Sequence, residues 1–454
     1  MRLYSNPDEV FVLIRICNVR TDPEVVLLVD PWQMHVNGLL SLISESQYKA
    51  TFIELPSAIR IRESTEIDSF TKRGLGRILH RRNRSSESQV NTGQVNSIYS
   101  YKGLSFGEIR LLELFPGNGE TPLEGDIRHI PLESAGEYSA LSYVWGPALK
   151  PFELQTSGGK ILLTVALYSA LKRIREKDAS IVLWVDAVCI NQADDHEKIV
   201  QIRLLRNIFQ HAEKVFAWIG DEKDNSNRAI EALVQIRTLA VSPDVWPKEL
   251  PPVSSTWSGS TPSPNEPIWR DIDKIFQRDW FHRVWVVQEF VLASQVRIVC
   301  GVWDVNWDDI FAALEICLAN IHSLQPTDLR LKQIAAHAKP ARALGLVRRL
   351  FKDPRLCRKF SLLSLFDKFS HTEATKERDK LFGFLGLASD AEDEIFDPNY
   401  SSSLDVVVRK YAGEFVRRGN AIDLLYRAGG SKAYDFCSWI PKWTGREPFR
   451  TIST

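Results

Sequence analysis

Short apolar runs alternate along this chain with polar stretches and with segments whose apolar residues recur at helical spacing. Residues 10–16 and 25–29 are strand-like runs near the N-terminus. A new run begins at 109–115, IRLLELF, and closes on the turn Pro116-Gly117-Asn118-Gly119. From residue 137 to 220 the pattern switches repeatedly. Residues 138–145 predict a strand, 167–175 a short helix, and 181–185, IVLWV, a buried strand. Asp194 with Glu197 three residues on has capping-box logic, Asp standing for Ser or Thr. Ile199, Ile202, Leu205, Phe209 and Ala212 then form one apolar helical face. Residues 215–219 predict a third strand, ended by Gly220, and a helix follows near 227–239. The stretch PPVSSTWSGSTPSPNEP (251–267) is too rich in Pro and Ser for a regular element. The chain resumes at 268–276 and 278–293, where Asp279 is placed to cap a helix. Residues 305–425 read mostly helical, including 404–418 with Gly419 as a stop. Strands alternating with helices predict an α/β fold, a parallel sheet flanked by helices.

Composition narrows the function classes. The 454 residues, 44% hydrophobic and 25% charged, suffice for a large core. Fifty-seven Lys and Arg balance 57 Asp and Glu. That removes any global electrostatic case for nucleic acid or an anionic membrane, and no nucleic-acid partner is expected. A local basic run, Lys72, Arg73, Arg77, Arg81, Arg82 and Arg84, reads as a solvated arm, with a nuclear-localisation or polyanion patch as the competing reading. The six cysteines (17, 189, 300, 317, 357 and 437) form no C-x-x-C pair, which fits a reduced, cytoplasmic protein with buried thiols. No apolar run reaches the roughly 18 residues of a membrane span, so no membrane segment is expected. Asp8 and Glu9 ahead of the first apolar stretch argue against a signal peptide. No H-E-x-x-H or paired Cys/His cluster exists, so no metal site is predicted. Ser157-Gly158-Gly159-Lys160 lacks the first glycine of a phosphate-binding loop.

Several longer motifs occur in order: YSALSYVWG (138–146), LWVDAVCINQADDHEK (183–198), Q-I-x-x-L-x-x-I-F-x-x-A (201–212), VFAWIG (215–220), WFHRVWVVQE (280–289), ERDKLFGFLGLA (377–388) and CSWIPKW (437–443). Together they resemble the fungal heterokaryon-incompatibility (HET) domain family over about residues 105–445. Pro147, Leu205, Phe209 and Lys442 depart from that family's usual residues. The resemblance implies a HET domain over 105–300 with a Pro/Ser-rich loop at 250–267, followed by the helical C-terminal region of such proteins at 301–454. Residues 1–62 form a strand-containing segment of unknown role, and 63–104 a polar basic linker. HET domains distantly resemble the Toll/interleukin-receptor (TIR) fold, a parallel sheet wrapped by helices. The resemblance implies a role in fungal non-self recognition and programmed cell death. The domain would act by self-association or through another incompatibility protein, with no cofactor required. Some TIR domains cleave NAD at the nicotinamide–ribose bond with one Glu on a helix after a Trp-containing stretch. That analogy maps onto Glu289 as catalytic carboxylate and makes NAD a candidate substrate.

The candidate residues each carry two readings. If 284–293 is helical, Trp285 and Glu289 lie at i and i+4 and share a face. Val286, Val287, Phe290, Val291 and Leu292 make the segment apolar nearly all round, and burial disfavours the charged form of an acid. A carboxylate there suits glycosidic cleavage, where positive charge develops on the sugar; the competing role is an ion pair with Arg283. Asp186 ends a strand, where ligands gather in open α/β sheets; it equally suits a hub that orders the turn from Cys189 to Gln192. Ser142, Trp145 and Gly146 end another strand. Gly146 permits positive φ. Trp145 offers a face for a nucleobase, a contact of roughly 1–3 kcal/mol, or simply packs its own loop. Asn191 reads as a turn former beside the same site. Ser142, Trp145, Gly146, Asp186, Asn191, Arg283 and Trp285 are thus the candidate ligand-binding positions around Glu289. Cys189 reads as a small buried hydrophobe.

Overall fold

Two units, residues 1–90 and 91–454, make up the computed structural model. It describes residues 97–119, 121–239, 267–324, 329–353, 360–430, 433–434 and 437–444, together with four short strands in the first unit. Those strands are β1 (Val12–Cys17) and β2 (Glu24–Val29), which pair antiparallel, and β3 (Leu40–Ser41) and β4 (Thr51–Phe52). The basic run 72–84 and the stretch 251–266 lie outside the described residues.

The second unit is built on a nine-stranded sheet. Its strands are β5 (Glu108–Leu114), β6 (Leu123–Pro131), β7 (Ser139–Tyr143), β8 (Phe152–Thr156), β9 (Gly159–Leu163), β10 (Ile181–Trp184), β11 (Val215–Trp218), β12 (Val296–Cys300) and β13 (Trp303–Asn306). They lie in the order β13-β12-β11-β7-β10-β5-β6-β8-β9. β10, β7, β11 and β12 run parallel, with Leu183 opposite Ser139 and Val215 opposite both Ala140 and Val296. The flanking pairs are antiparallel except β6 with β8. The sheet is therefore mixed, which corrects the expectation of a parallel one. The cause lies in the connections: β5–β6, β8–β9 and β12–β13 are joined without a helix, and such links return the chain antiparallel, whereas a parallel neighbour needs a longer crossover.

Helices supply the crossovers: α1 (Val165–Ile174), α2 (Asp186–Cys189), α3 (Asp195–His211), α4 (Ser226–Leu239), α5 (Pro267–Phe276) and α6 (Val284–Leu292). The C-terminal helices are α7 (Trp307–Leu324), α8 (Leu329–His337), α9 (Lys339–Lys352), α10 (Leu362–Lys368), α11 (Asp379–Phe382), α12 (Leu404–Arg417) and α13 (Ala421–Gly430). From β7 the chain runs to β8 and β9 at the far edge of the sheet, returns through α1 to β10 beside β7, crosses to β11 on the other side of β7, and continues to β12. The change of direction falls between β7 and β11, and open α/β sheets place ligands beyond the carboxyl ends of strands at such a point.

Two local expectations are corrected by tertiary contacts. Asp194 does cap α3, its Oδ1 accepting from the N–H of His196 (2.9 Å) and Glu197 (3.1 Å). Glu197 does not close a capping box. Its carboxylate is taken by the buried Arg110 guanidinium at 2.6 and 2.9 Å and by the Asn191 N–H at 2.7 Å. The helix weighed over 284–293 forms as α6, but Asp279 does not cap it: Asp279–His282 is a 3₁₀ turn, separated from α6 by Arg283 at φ −76°, ψ 128°. The break is stabilised by residue 373, whose carbonyl accepts from the Val284 N–H (2.9 Å) while its own N–H donates to the His282 carbonyl (2.5 Å).

α6 is buried almost all round. Its last carbonyls have no partner within the helix. Arg348 of α9 supplies one, donating to Phe290 (2.8 Å), Ala293 (2.6 Å) and Ser294 (2.9 Å). A cation at this end also suits the helix dipole. The C-terminal region thus grips both ends of the helix that carries Glu289.

Candidate functional site

The strand ends at β7, β10 and the start of α6 build one cluster. β7 delivers Ser142 with its hydroxyl fully buried, and Tyr143 beside it. The chain then leaves the sheet through Trp145 and Gly146, whose φ of 67° is a left-handed value that glycine takes without strain. β10 ends at Trp184, and α2 opens on Asp186.

Asp186 is met from four directions. Its Oδ1 takes the Ala187 N–H at 2.7 Å, and its Oδ2 takes the Trp145 indole N–H at 2.8 Å. The Arg283 guanidinium lies 3.9 Å from the same Oδ2, and the Tyr143 hydroxyl bonds the carboxylate as well. The Asp186 carbonyl accepts from Gln192 Nε2 at 2.8 Å, which folds the turn back onto the strand. The two sequence readings of Asp186 therefore merge, since the strand-end acid is also the hub of its turn. Arg283 also donates to the Tyr143 carbonyl, so the first residue before α6 is stitched to the end of β7.

Glu289 reaches the cluster from α6 and is 7% exposed. Its Oε2 accepts from the Ser142 hydroxyl at 2.5 Å, and Ser142 Oγ in turn accepts from the Trp280 indole N–H at 3.0 Å. Burial pushes the Glu289 carboxyl up from 4.5 to about 7, and the charge of Asp186 adds to that; Arg283 and the Ser142 hydrogen bond pull it down. Burial raises Asp186 too, opposed chiefly by Arg283 and then by the Trp145 indole. Two carboxyls, one guanidinium and a 36%-exposed indole ring thus meet at the carboxyl ends of parallel strands. Such a set can hold a proton near neutrality, stabilise a developing cation, and present an aromatic face to a planar ring.

Ser142, Trp145, Asp186, Arg283 and Glu289 are brought together. Gly146 borders them, with room for a Cβ that would lie 3.8 Å from Ala166. Trp285 is engaged elsewhere, its indole bonded to Asp379 of α11, which also accepts from the Tyr400 hydroxyl at 2.9 Å. Asn191 serves its turn, its Oδ1 accepting from the Ala193 N–H at 3.2 Å. Cys189 is fully buried and its thiol is pushed up to about 12 by desolvation. Sequence reasoning missed Trp280 and Tyr143 as members of the cluster. Trp280 stands in the same WFHR motif, yet its partner lies 138 residues earlier and no local signal connects them. A separate groove of about 480 Å³, lined among others by Arg173, Arg175, Lys214, Phe216, Arg297 and Asp304, includes none of the cluster residues. The convergence of perturbed carboxyls, and not the size of a hollow, marks the site.

Among the described residues, no three His, Cys, Asp or Glu side chains gather as metal ligands would, and no helix is long and apolar enough to cross a membrane. Residues 138–289 match the family model of heterokaryon incompatibility protein (HET). The matched segment is the one that builds the cluster. It begins on the buried Tyr138 just before β7 and ends on Glu289 itself. The chain is also similar to heterokaryon incompatibility protein 6, OR allele, of Neurospora crassa, with 26% identity over a 422-residue alignment covering 80% of this chain and 62% of the relative. It therefore spans less than two thirds of that relative's length. No solved structure matches.

Proposed function

We propose that this chain is an incompatibility protein of fungal non-self recognition, whose HET domain self-associates to signal cell death from the cytoplasm. The observation that carries this reading is the closed state of the strand-end cluster within the HET match. Glu289 is buried with Oε2 occupied by Ser142, and α6 is clamped at both ends by the C-terminal region. A hub so tied holds one arrangement of the domain and couples its parts, as a signalling switch requires. The buried cysteines Cys189, Cys300 and Cys317 suit a reducing compartment.

A second reading is favoured by the raised Glu289 carboxyl beside Asp186 and Trp145: a TIR-like NAD glycohydrolase. In that reaction the nicotinamide–ribose bond breaks, its electron pair leaves with nicotinamide, and water adds to the ribosyl cation and releases one proton to solvent. Ionised Glu289 would stabilise the cation or hold a ribose hydroxyl, and Trp145 would stack on a base.

One experiment separates the two. Full-length protein, concentrated until sedimentation velocity detects assembly, is incubated with NAD and assayed for nicotinamide beside Glu289→Ala. Assembly without release from either protein supports signalling by association alone. Release that Glu289→Ala abolishes establishes the hydrolase. Absence of any assembly sinks the self-association reading.

A further inference from the structure

We propose that Ser142 and Trp280 are positioning residues that give the two oxygens of Glu289 different tasks: Oε2 is held as a permanent acceptor, and Oε1 exchanges the proton and meets the ligand. The inference deepens the carboxylate reading of the site and rests on it, but concerns the direction of a proton and not the identity of a substrate.

The assignment follows from what each group can donate. A tryptophan indole is a donor only, while a serine hydroxyl has one proton and two lone pairs. The Trp280 N–H, 3.0 Å from Ser142 Oγ, occupies one lone pair of that oxygen. The hydroxyl proton must then point away from Trp280, and the one acceptor it has among the described residues is Glu289 Oε2 at 2.5 Å. Were Oε2 to carry the carboxyl proton instead, that proton would take the second Ser142 lone pair. The serine proton would then be left without a partner at a position with no exposed surface, an arrangement that buried polar groups avoid. Trp280 is itself buried, held edge-on against Phe281 and Phe290, so its indole cannot swing aside. The neutral carboxyl therefore carries its proton on Oε1. On ionisation the Oε1–H bond breaks, its electron pair stays on Oε1 and the proton passes to solvent base, while the Ser142 bond to Oε2 persists.

The charged and titratable groups facing this carboxyl are Arg283 at the start of α6, Asp186 beyond β10 and Tyr143 of β7. Arg283 acts on both acids and on Asp379 of the C-terminal region, so it sets the overall level. The choice between the oxygens rests on hydrogen bonding. That choice belongs to the Trp280–Ser142 pair, which also polarises the hydroxyl towards the carboxylate.

Infrared difference spectra of the full chain between pH 5 and 9, wild type minus Glu289→Gln, isolate the Glu289 carboxyl band without NAD. This readout is independent of nicotinamide release, so loss of hydrolysis leaves the result intact and the reverse also holds. Ser142→Ala is expected to raise the midpoint by about one pH unit, a tenfold higher proton affinity, because a hydrogen bond to the charged form is lost. Trp280→Phe is expected to raise it by less, and Ser142→Thr to keep the wild-type value. A merely structural role for Ser142 would leave the midpoint in place. If Ser142→Ala fails to fold, Trp280→Phe decides. A midpoint that stays or falls in the folded variant, or no Glu289 band titrating in this range, overturns the proposal.

Discussion

Replacing Glu289 by glutamine is expected to stabilise the protein most in alkali and least at pH 5. The amide keeps the size of the side chain and an oxygen to accept from Ser142, but cannot ionise. In the wild type the carboxyl titrates at about 7 when folded against an ordinary value of 4.5. Between those values the folded state binds a proton that the unfolded state has released, so stability falls as pH rises. Each pH unit corresponds to about 1.4 kcal/mol, which makes the full loss about 3 kcal/mol, complete once the pH passes the folded value. At 7% exposure, solvent screening offsets little of it. Glu289→Gln lacks this loss. Arg283 retains Asp186 and the Tyr143 carbonyl as partners, so the variant strands no cation. Urea unfolding at pH 5, 6, 7, 8 and 9 gives the test. The variant's advantage is expected to grow from just under about 1 kcal/mol at pH 5 to about 3 kcal/mol and then level off. A difference independent of pH, or a wild type that gains in alkali, would refute the reasoning and mean that Arg283 fully compensates the buried charge.

Other perturbations probe the scaffold. Arg110→Met strands the carboxylate of Glu197 and is expected to cost about 3–5 kcal/mol in urea unfolding, with part recovered by adding Glu197→Gln. Arg348→Met removes the donor to the Phe290, Ala293 and Ser294 carbonyls; at about 1–3 kcal/mol for such a loss, a lowered thermal midpoint is expected, and an unchanged one would show that water caps the helix. Gly386→Ala places a Cβ 2.2 Å from Gln288 Oε1, so Gln288 must move and give up its bonds to Phe382 and residue 386; the expected cost is about 1–3 kcal/mol by thermal melting. If Trp145 stacks on a base, calorimetry finds Trp145→Ala weakening NAD binding by about 1–3 kcal/mol while Trp145→Phe, which keeps the ring, binds nearly as the wild type does. Equal affinity of Trp145→Ala and wild type removes Trp145 from the site.

Much of the inner architecture was legible because local periodicity and core burial agree there. The apolar runs of β7, β10 and β11 lie within one residue or two of their predicted ends, and the apolar face written from Ile199 to Ala212 became α3. The outer strands were not legible. β6, LEGDIRHIP, holds a glycine and four charged or imidazole side chains and is only partly buried, so no alternation reached the sequence. Strand direction was equally hidden, since an apolar run is the same whether its neighbour is parallel or antiparallel.

The sequence by itself determined which residues were available for chemistry: an acid at the end of a buried strand, a Trp-Gly exit from another, and a carboxyl in an apolar helix. Only the tertiary structure decided what each one does. It turned Glu197 from a cap into the partner of Arg110, broke the helix at Arg283 with a carbonyl contributed from residue 373, drew Trp285 away to Asp379, and set Trp280 on Ser142. The physical reason is common to all four. A buried polar group must find a partner, that partner is chosen by distance in space, and here it stands far along the chain.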